Sequence, residues 1–226
     1  MTMMNPKYEK IKKNIEQIKE KIDCAKTKSL RKEQEVTIIA VTKMAQIEDI
    51  QIAYNLGLQH FGENRIESAC EKIINSPTDI QWHIIGTIQR RKIPTILEHC
   101  KFIDSVDRVE VAETIHKKAI EKRIETVPIL LQLNISGEET KHGFSPSEFD
   151  NSFEKIKEFN NLFIRGLMTI APINADEKTL RQIFGTLRNI AEKYNLKTLS
   201  MGMTDDFEIA IEEGATEVRL GRAIFG

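Results

Sequence analysis

The chain has 226 residues, with 33 basic against 34 acidic, and 40% of its residues are hydrophobic. That is enough apolar material for a sizeable core, while the charge balance gives no electrostatic case for a nucleic-acid or membrane partner. The charged start "MTMMNPKYEKIKKN" lacks the apolar run of a signal peptide, no segment approaches a membrane span of about 20 residues, and Cys24, Cys70 and Cys100 are too scattered for a disulfide framework or a zinc site; a cytoplasmic protein is expected.

Residues 1–28 come first, and there Met4, Tyr8, Ile11, Ile15, Ile18 and Ile22 recur at helical spacing. This predicts an amphipathic helix with a narrow apolar seam, packed on or beside the rest of the molecule. About three heptads are too few to require the other reading, a dimerising coil. From residue 36 strands and helices alternate: "VTIIAVTK" (36–43), a helix over 47–57 stopped by Gly57, "HFGEN" (60–64), a helix over 66–74, "IQWHIIG" (80–86), and a mostly helical 91–100 with Pro94 in its first turn. "KFIDSVD" (101–107), a helix over 108–122, "VPILLQLNIS" (127–136), a helix over 145–159 and "LFIRGLMTIA" (162–171) continue the rhythm. A helix over 176–194, "TLSMGMT" (198–204), a short helix over 205–214 and "EVRLGRAIFG" (217–226) complete it.

Eight strands alternating with helices predict a parallel sheet with right-handed crossovers. Eight such units with no long linker between them favour a single (β/α)8 barrel over residues 1–226, an α/β TIM barrel with an extra N-terminal helix and no C-terminal β-domain. The other candidate, an open doubly wound sheet, would carry a glycine-rich turn after its first strand, and "KMAQIED" has no glycine.

Barrel chemistry sits at the C-terminal strand ends. Strands seven and eight end in "GMTDD" and "LGR", glycine turns of the kind that hold phosphate through backbone N–H groups, though ordinary helix capping explains either one alone. Strand one ends in Lys43. A lysine there either extends into solvent or, partly desolvated, attacks carbonyls. An amine opposite an anion site suits a phosphorylated aldehyde. His83, beside Trp82 in an apolar strand, reads as a core histidine, and Asp104 and Asp107 have no spacing that makes them an acid–base pair.

The stretches "IIAVTK" (38–43), "FGENRIESACEKI" (61–73), "IQWHIIGTIQRRK" (80–92), "IDSVDR" (103–108), "LLQLNISGEETKHGF" (130–144), "IRGLMTIAP" (164–172) and "LSMGMTDDFEIAIEEGATEVRLGRAIFG" (199–226) together resemble the pyridoxal 5′-phosphate (PLP)-binding homeostasis proteins, the YggS/PROSC group. These are similar to the barrel domain of alanine racemase. The resemblance implies that Lys43 carries PLP as a Schiff base. It implies that Thr204, with the backbone of Met203, Gly221 and Arg222, holds the phosphate. It also implies that Arg219 faces the pyridine nitrogen, and that Asn64, His83 and Met168 line the pocket.

An always-charged guanidinium beside that nitrogen disfavours its protonation and weakens the ring as an electron sink. No second base is visible: Tyr8, Tyr54 and Tyr194 are all expected on helices. The resemblance therefore implies PLP buffering or delivery, by a monomer with PLP-dependent apoenzymes as clients. A weak amino-acid racemase and a Schiff-base lyase acting on a sugar phosphate are the alternatives. Met44, Thr204, Arg90, Arg91 and Arg222 depart from the residues usual in the group, the arginines making the rim more basic, and Lys141 in the loop "ETKHG" reads as solvated or as reaching the mouth for cofactor exchange.

Overall fold

The computed structural model describes residues 5–31 and 33–226. Helix α1 (Pro6–Lys28) starts where Asn5 Oδ1 accepts the Lys7 N–H at 3.0 Å and Pro6 takes the first turn. Its seam buries Ile11, Ile15, Ile18, Ile22 and Ala25; Met4, expected at the head of that seam, lies outside the described residues. Each buried isoleucine is worth roughly 1.5–3 kcal/mol against exposure. The seam faces the same chain, against three helices described below.

The alternation resolves into β1 (Thr37–Val41), α2 (Ile47–Asn55), β2 (His60–Glu63), α3 (Ile66–Ile74), β3 (Gln81–Ile84), α4 (Ile93–His99), β4 (Phe102–Val106) and α5 (Val109–Glu121). It continues through β5 (Val127–Leu133), α6 (Phe149–Lys157), β6 (Leu162–Thr169), α7 (Glu177–Lys193), β7 (Thr198–Ser200), α8 (Phe207–Glu212), β8 (Glu217–Leu220) and α9 (Arg222–Phe225). A single turn of 3-10 helix, Arg90–Lys92, leads into α4. The strands close as a parallel barrel in sequence order, with β8 returning to β1 through Ile39 opposite Arg219. This is the closed (β/α)8 barrel expected from the sequence, and the open sheet is excluded. Helix α1 packs on α2, α8 and α9, and Asn14 Nδ2 donates to Ile224 O at 2.9 Å.

Strands are shorter than the apolar runs that announce them, because the last residues of each run turn into the loops at the barrel mouth. The final segment divides: after β8 the chain turns at Gly221 into the short helix α9. Strand β6 carries one extra residue, since Ile129 faces Ile164 while Leu130 faces Gly166. A bulge of this kind re-aims a side chain, here Arg165, whose guanidinium reaches Asp104 on β4 and Glu217 on β8.

Two glycines let the wall close. A Cβ at Gly62 would lie 2.9 Å from Ile39 Cγ2, and one at Gly166 would lie 1.9 Å from the Thr198 carbonyl oxygen. The second contact is with backbone, which does not yield cheaply. Gly166→Ala should therefore push β6 from β7 at a cost of about 2 kcal/mol, lowering Tm by roughly 4–8 °C for a chain this size. An unchanged Tm in a thermal melt would contradict the close approach of these strands.

Candidate functional site

The end of β1 is held by a buried ionic clamp. Thr42 donates from Oγ1 to Glu63 Oε1 at 2.6 Å, and its N–H bonds Gly62 O at 3.0 Å. From α3, Lys72 Nζ reaches the same carboxylate oxygen at 2.7 Å and the Thr42 carbonyl at 2.6 Å. Ser68, one turn earlier on the same helix face, adds a long contact of 3.4 Å to Glu63 Oε2. The next residue is Lys43, exposed, with no hydrogen-bond or ion-pair partner among the described residues.

Beside β1, the turns after β7 and β8 come together. Gly202 takes φ +93°, where a Cβ would also stand 2.6 Å from Ala210 Cβ. The Met203 N–H is spent on Asp206 Oδ1 at 2.5 Å, and the Ala223 N–H reaches Thr204 Oγ1 at 3.3 Å. The N–H groups of Thr204, Gly221 and Arg222 have no acceptor among the described residues. At Gly221 a Cβ would be 3.2 Å from Val41 O, so the glycine brings this turn against the strand that carries Lys43. Arg222 is largely exposed and pairs with Asp205 at 2.5 Å.

Arg219 points into the barrel. Its Nη1 donates to Ser200 Oγ and its Nη2 to the Thr169 carbonyl, both at 2.8 Å. Both acceptors are neutral, and burial holds the guanidinium below its usual pKa. Met168 is fully buried on β6 beside this group.

Below lies a floor of buried polar groups. His83 Nδ1 meets Asp104 Oδ2 at 2.5 Å and His83 Nε2 meets His60 Nδ1 at 2.9 Å. Arg165 joins Asp104 at 3.0 Å to Glu217 at 2.9 Å, and covers the Phe102 ring at 4.5 Å. Burial and the neighbouring Asp104 push the Glu217 carboxyl up, while its Oε2 finds no partner among the described residues. Asp104 also loses solvent, but His83 and Arg165 outweigh that and hold it down. Burial, then the charges of His83 and Arg165, push the His60 imidazole down to about 4.

Lys43, Met203, Thr204, Gly221 and Arg222 thus share one rim, with Arg219 and Met168 inside it. Asn64 stands at the rim after β2, its carbonyl packed against Gly86. His83 departs from the pocket-lining role, because both its ring nitrogens are engaged in the floor; the core-histidine reading describes it better. Asp104 and Asp107 do not pair: Asp107 bonds Arg108 at 2.7 Å. Lys141 is tied to Glu138 within its own loop. Sequence reasoning passed over Lys72 and Arg165. Ser68 and Lys72, four apart on one helix face, were a legible sign of a shared partner; the bulge that aims Arg165 left no sign.

Comparison with known proteins matches residues 9–226 to a family described as alanine racemase, N-terminal domain. The chain is 34% identical over 226 residues to a pyridoxal phosphate homeostasis protein of Pasteurella multocida, covering 96% of this chain and 97% of that one. Among solved structures it resembles PipY of Synechococcus elongatus with PLP bound, at 32% identity and TM-score 0.79, covering 91% of this chain and 100% of that one. An alanine racemase of Clostridium difficile shares the fold at 14% identity and TM-score 0.77, covering 96% of this chain and 56% of that one.

The floor gives a pH signature. A histidine kept neutral by burial stabilises the fold above its unfolded pKa of about 6.5, and that contribution is lost as pH falls towards the folded value. With the His60 value at about 4, stability should fall between about pH 6.5 and 4. His60→Gln should flatten that part of the curve in urea melts, relative to the native chain. Parallel curves for the two proteins would contradict the buried neutral imidazole.

Proposed function

The chain belongs to the alanine racemase N-terminal domain family, and from that premise we propose that it binds PLP at the barrel mouth and serves in PLP homeostasis, holding and supplying the cofactor. The observation that carries this reading is the placing of an unpartnered amine, Lys43, beside two turns in which the Thr204, Gly221 and Arg222 N–H groups have no acceptor among the described residues. The donor set fits the cofactor. Free N–H groups and the Thr204 hydroxyl suit a phosphate dianion, and Gly202 and Gly221 admit close backbone approach. Full-length relatives named for PLP homeostasis, and PipY with PLP bound, support the same ligand.

When bound, PLP supplies an aldehyde open to amines and a pyridine ring able to draw electrons from what is attached. The chain's residues restrict that chemistry. Lys43 offers the amine for a covalent link. Arg219 presents a fixed cation where a ring nitrogen would stand, and such a cation keeps that nitrogen unprotonated. The three tyrosines do not provide a second base at the mouth. Tyr54 bonds Asp79 at 2.6 Å, Tyr194 bonds Asp150, and Tyr8 packs on the core from α1. Carriage is therefore favoured over racemisation. The reading includes PLP-dependent apoenzymes as recipients and a cytoplasmic monomer as the working form.

Incubation with PLP, borohydride reduction and peptide mass mapping test it. One reduced cofactor should appear on the Lys43 peptide and be lost in Lys43→Ala. Label spread over surface lysines, or none at all, would sink the proposal.

A further inference from the structure

The clamp at the end of β1 buries an ion pair with side-chain exposures of 1% for Glu63 and 15% for Lys72. Such a pair is poor at raising stability, because desolvation of the two charges offsets most of their attraction, whereas it fixes geometry well. What it fixes here is specific. Lys72 bonds the carbonyl of Thr42, the group that is peptide-bonded to Lys43. The Thr42 hydroxyl and N–H are held as well, by Glu63 and by Gly62. All three polar groups of the residue before Lys43 are thus committed, and the Ala45 N–H shares the same Thr42 carbonyl at 2.9 Å.

We propose that Lys72 is a positioning residue for Lys43: it locks the Thr42–Lys43 peptide, so that the neighbouring amine is delivered to the aldehyde of a cofactor held at the phosphate turns. The inference rests on the PLP reading given above. In the step concerned, the Lys43 nitrogen adds to the aldehyde carbon, a C=N bond replaces C=O, and the oxygen leaves as water with both hydrogens of the neutral amine. Neither an oxidant nor a further reactant is needed. The clamp touches neither the phosphate turns nor Arg219. Its loss should therefore spare reversible cofactor holding and impair covalent capture. Lys72 is itself an amine beside the mouth, and its engagement with Glu63 and Thr42 leaves Lys43 as the one offered.

The test compares the native chain, Lys72→Met and the double variant Lys72→Met with Glu63→Gln, which removes both charges and guards against misfolding from an unpaired buried carboxylate. Thermal melts report folding, equilibrium dialysis reports total PLP bound, and borohydride mass mapping reports the fraction joined to Lys43. Loss of positioning should lower the rate of capture on the order of tenfold, within the range that ångström-scale misplacement costs. Both variants should show that loss while total PLP binding stays near native. Capture recovered in the double variant along with its Tm would reduce Lys72 to a structural role and overturn the proposal. Native capture rates in both variants would overturn it too, leaving the PLP reading intact. Absence of capture in the native chain would overturn both readings.

Discussion

A guanidinium buried without a carboxylate against it is the constraint on which the rest of this barrel depends. Arg219 stands inside the mouth on two neutral acceptors, Ser200 Oγ and the Thr169 carbonyl. An isolated cation in such a place is expensive. The interior answers with long-range compensation: Asp104, Asp206 and Glu217 all favour its charged form. Two of these acids are in turn joined by Arg165, so the floor is an alternating set of charges that tie β3, β4, β6 and β8 together. Arg219 itself is held within this set of charges only at a distance, its two direct acceptors being neutral.

The mouth is built from short elements whose positions are set by glycine and by capping. Gly202 allows the turn after β7, and Gly221 brings the turn after β8 onto Val41. Asp206 takes the Met203 N–H, while the neighbouring Thr204 N–H has no acceptor among the described residues. On the adjacent strand the clamp of Thr42, Glu63 and Lys72 carries Lys43 to the same rim. The two turns and the amine are placed by different side chains, Asp206 on the one hand and the clamp on the other, and meet where Gly221 packs on Val41. Of the arginines that depart from the residues usual in the group, Arg222 lies on this rim and pairs with Asp205, which balances its charge.

Much of this was legible in the sequence because its periodicities are strong. β-branched runs such as "IIAV" and helix stops such as Gly57 set the alternation, and Ile11, Ile15, Ile18 and Ile22 set the seam of α1. Lys43 and the two glycine turns were visible as residues at strand ends. What escaped depends on contacts between distant segments. Arg165 lies 61 residues from Asp104 and 52 from Glu217, and reaches both only because β6 carries a bulge. His83 sits on a strand that could feed either mouth or floor, and its direction is settled by His60 and Asp104. Ser68 and Lys72 share a helix face in the sequence, but their partner, Glu63, is brought to them only by barrel closure.

The central claim is that amine, phosphate turns and buried guanidinium form one cofactor site. A titration of the chain with PLP, followed by visible absorption, tests it most directly. The account predicts a new long-wavelength band that saturates at one PLP per chain. A spectrum that stays the sum of protein and free cofactor at every ratio would contradict it.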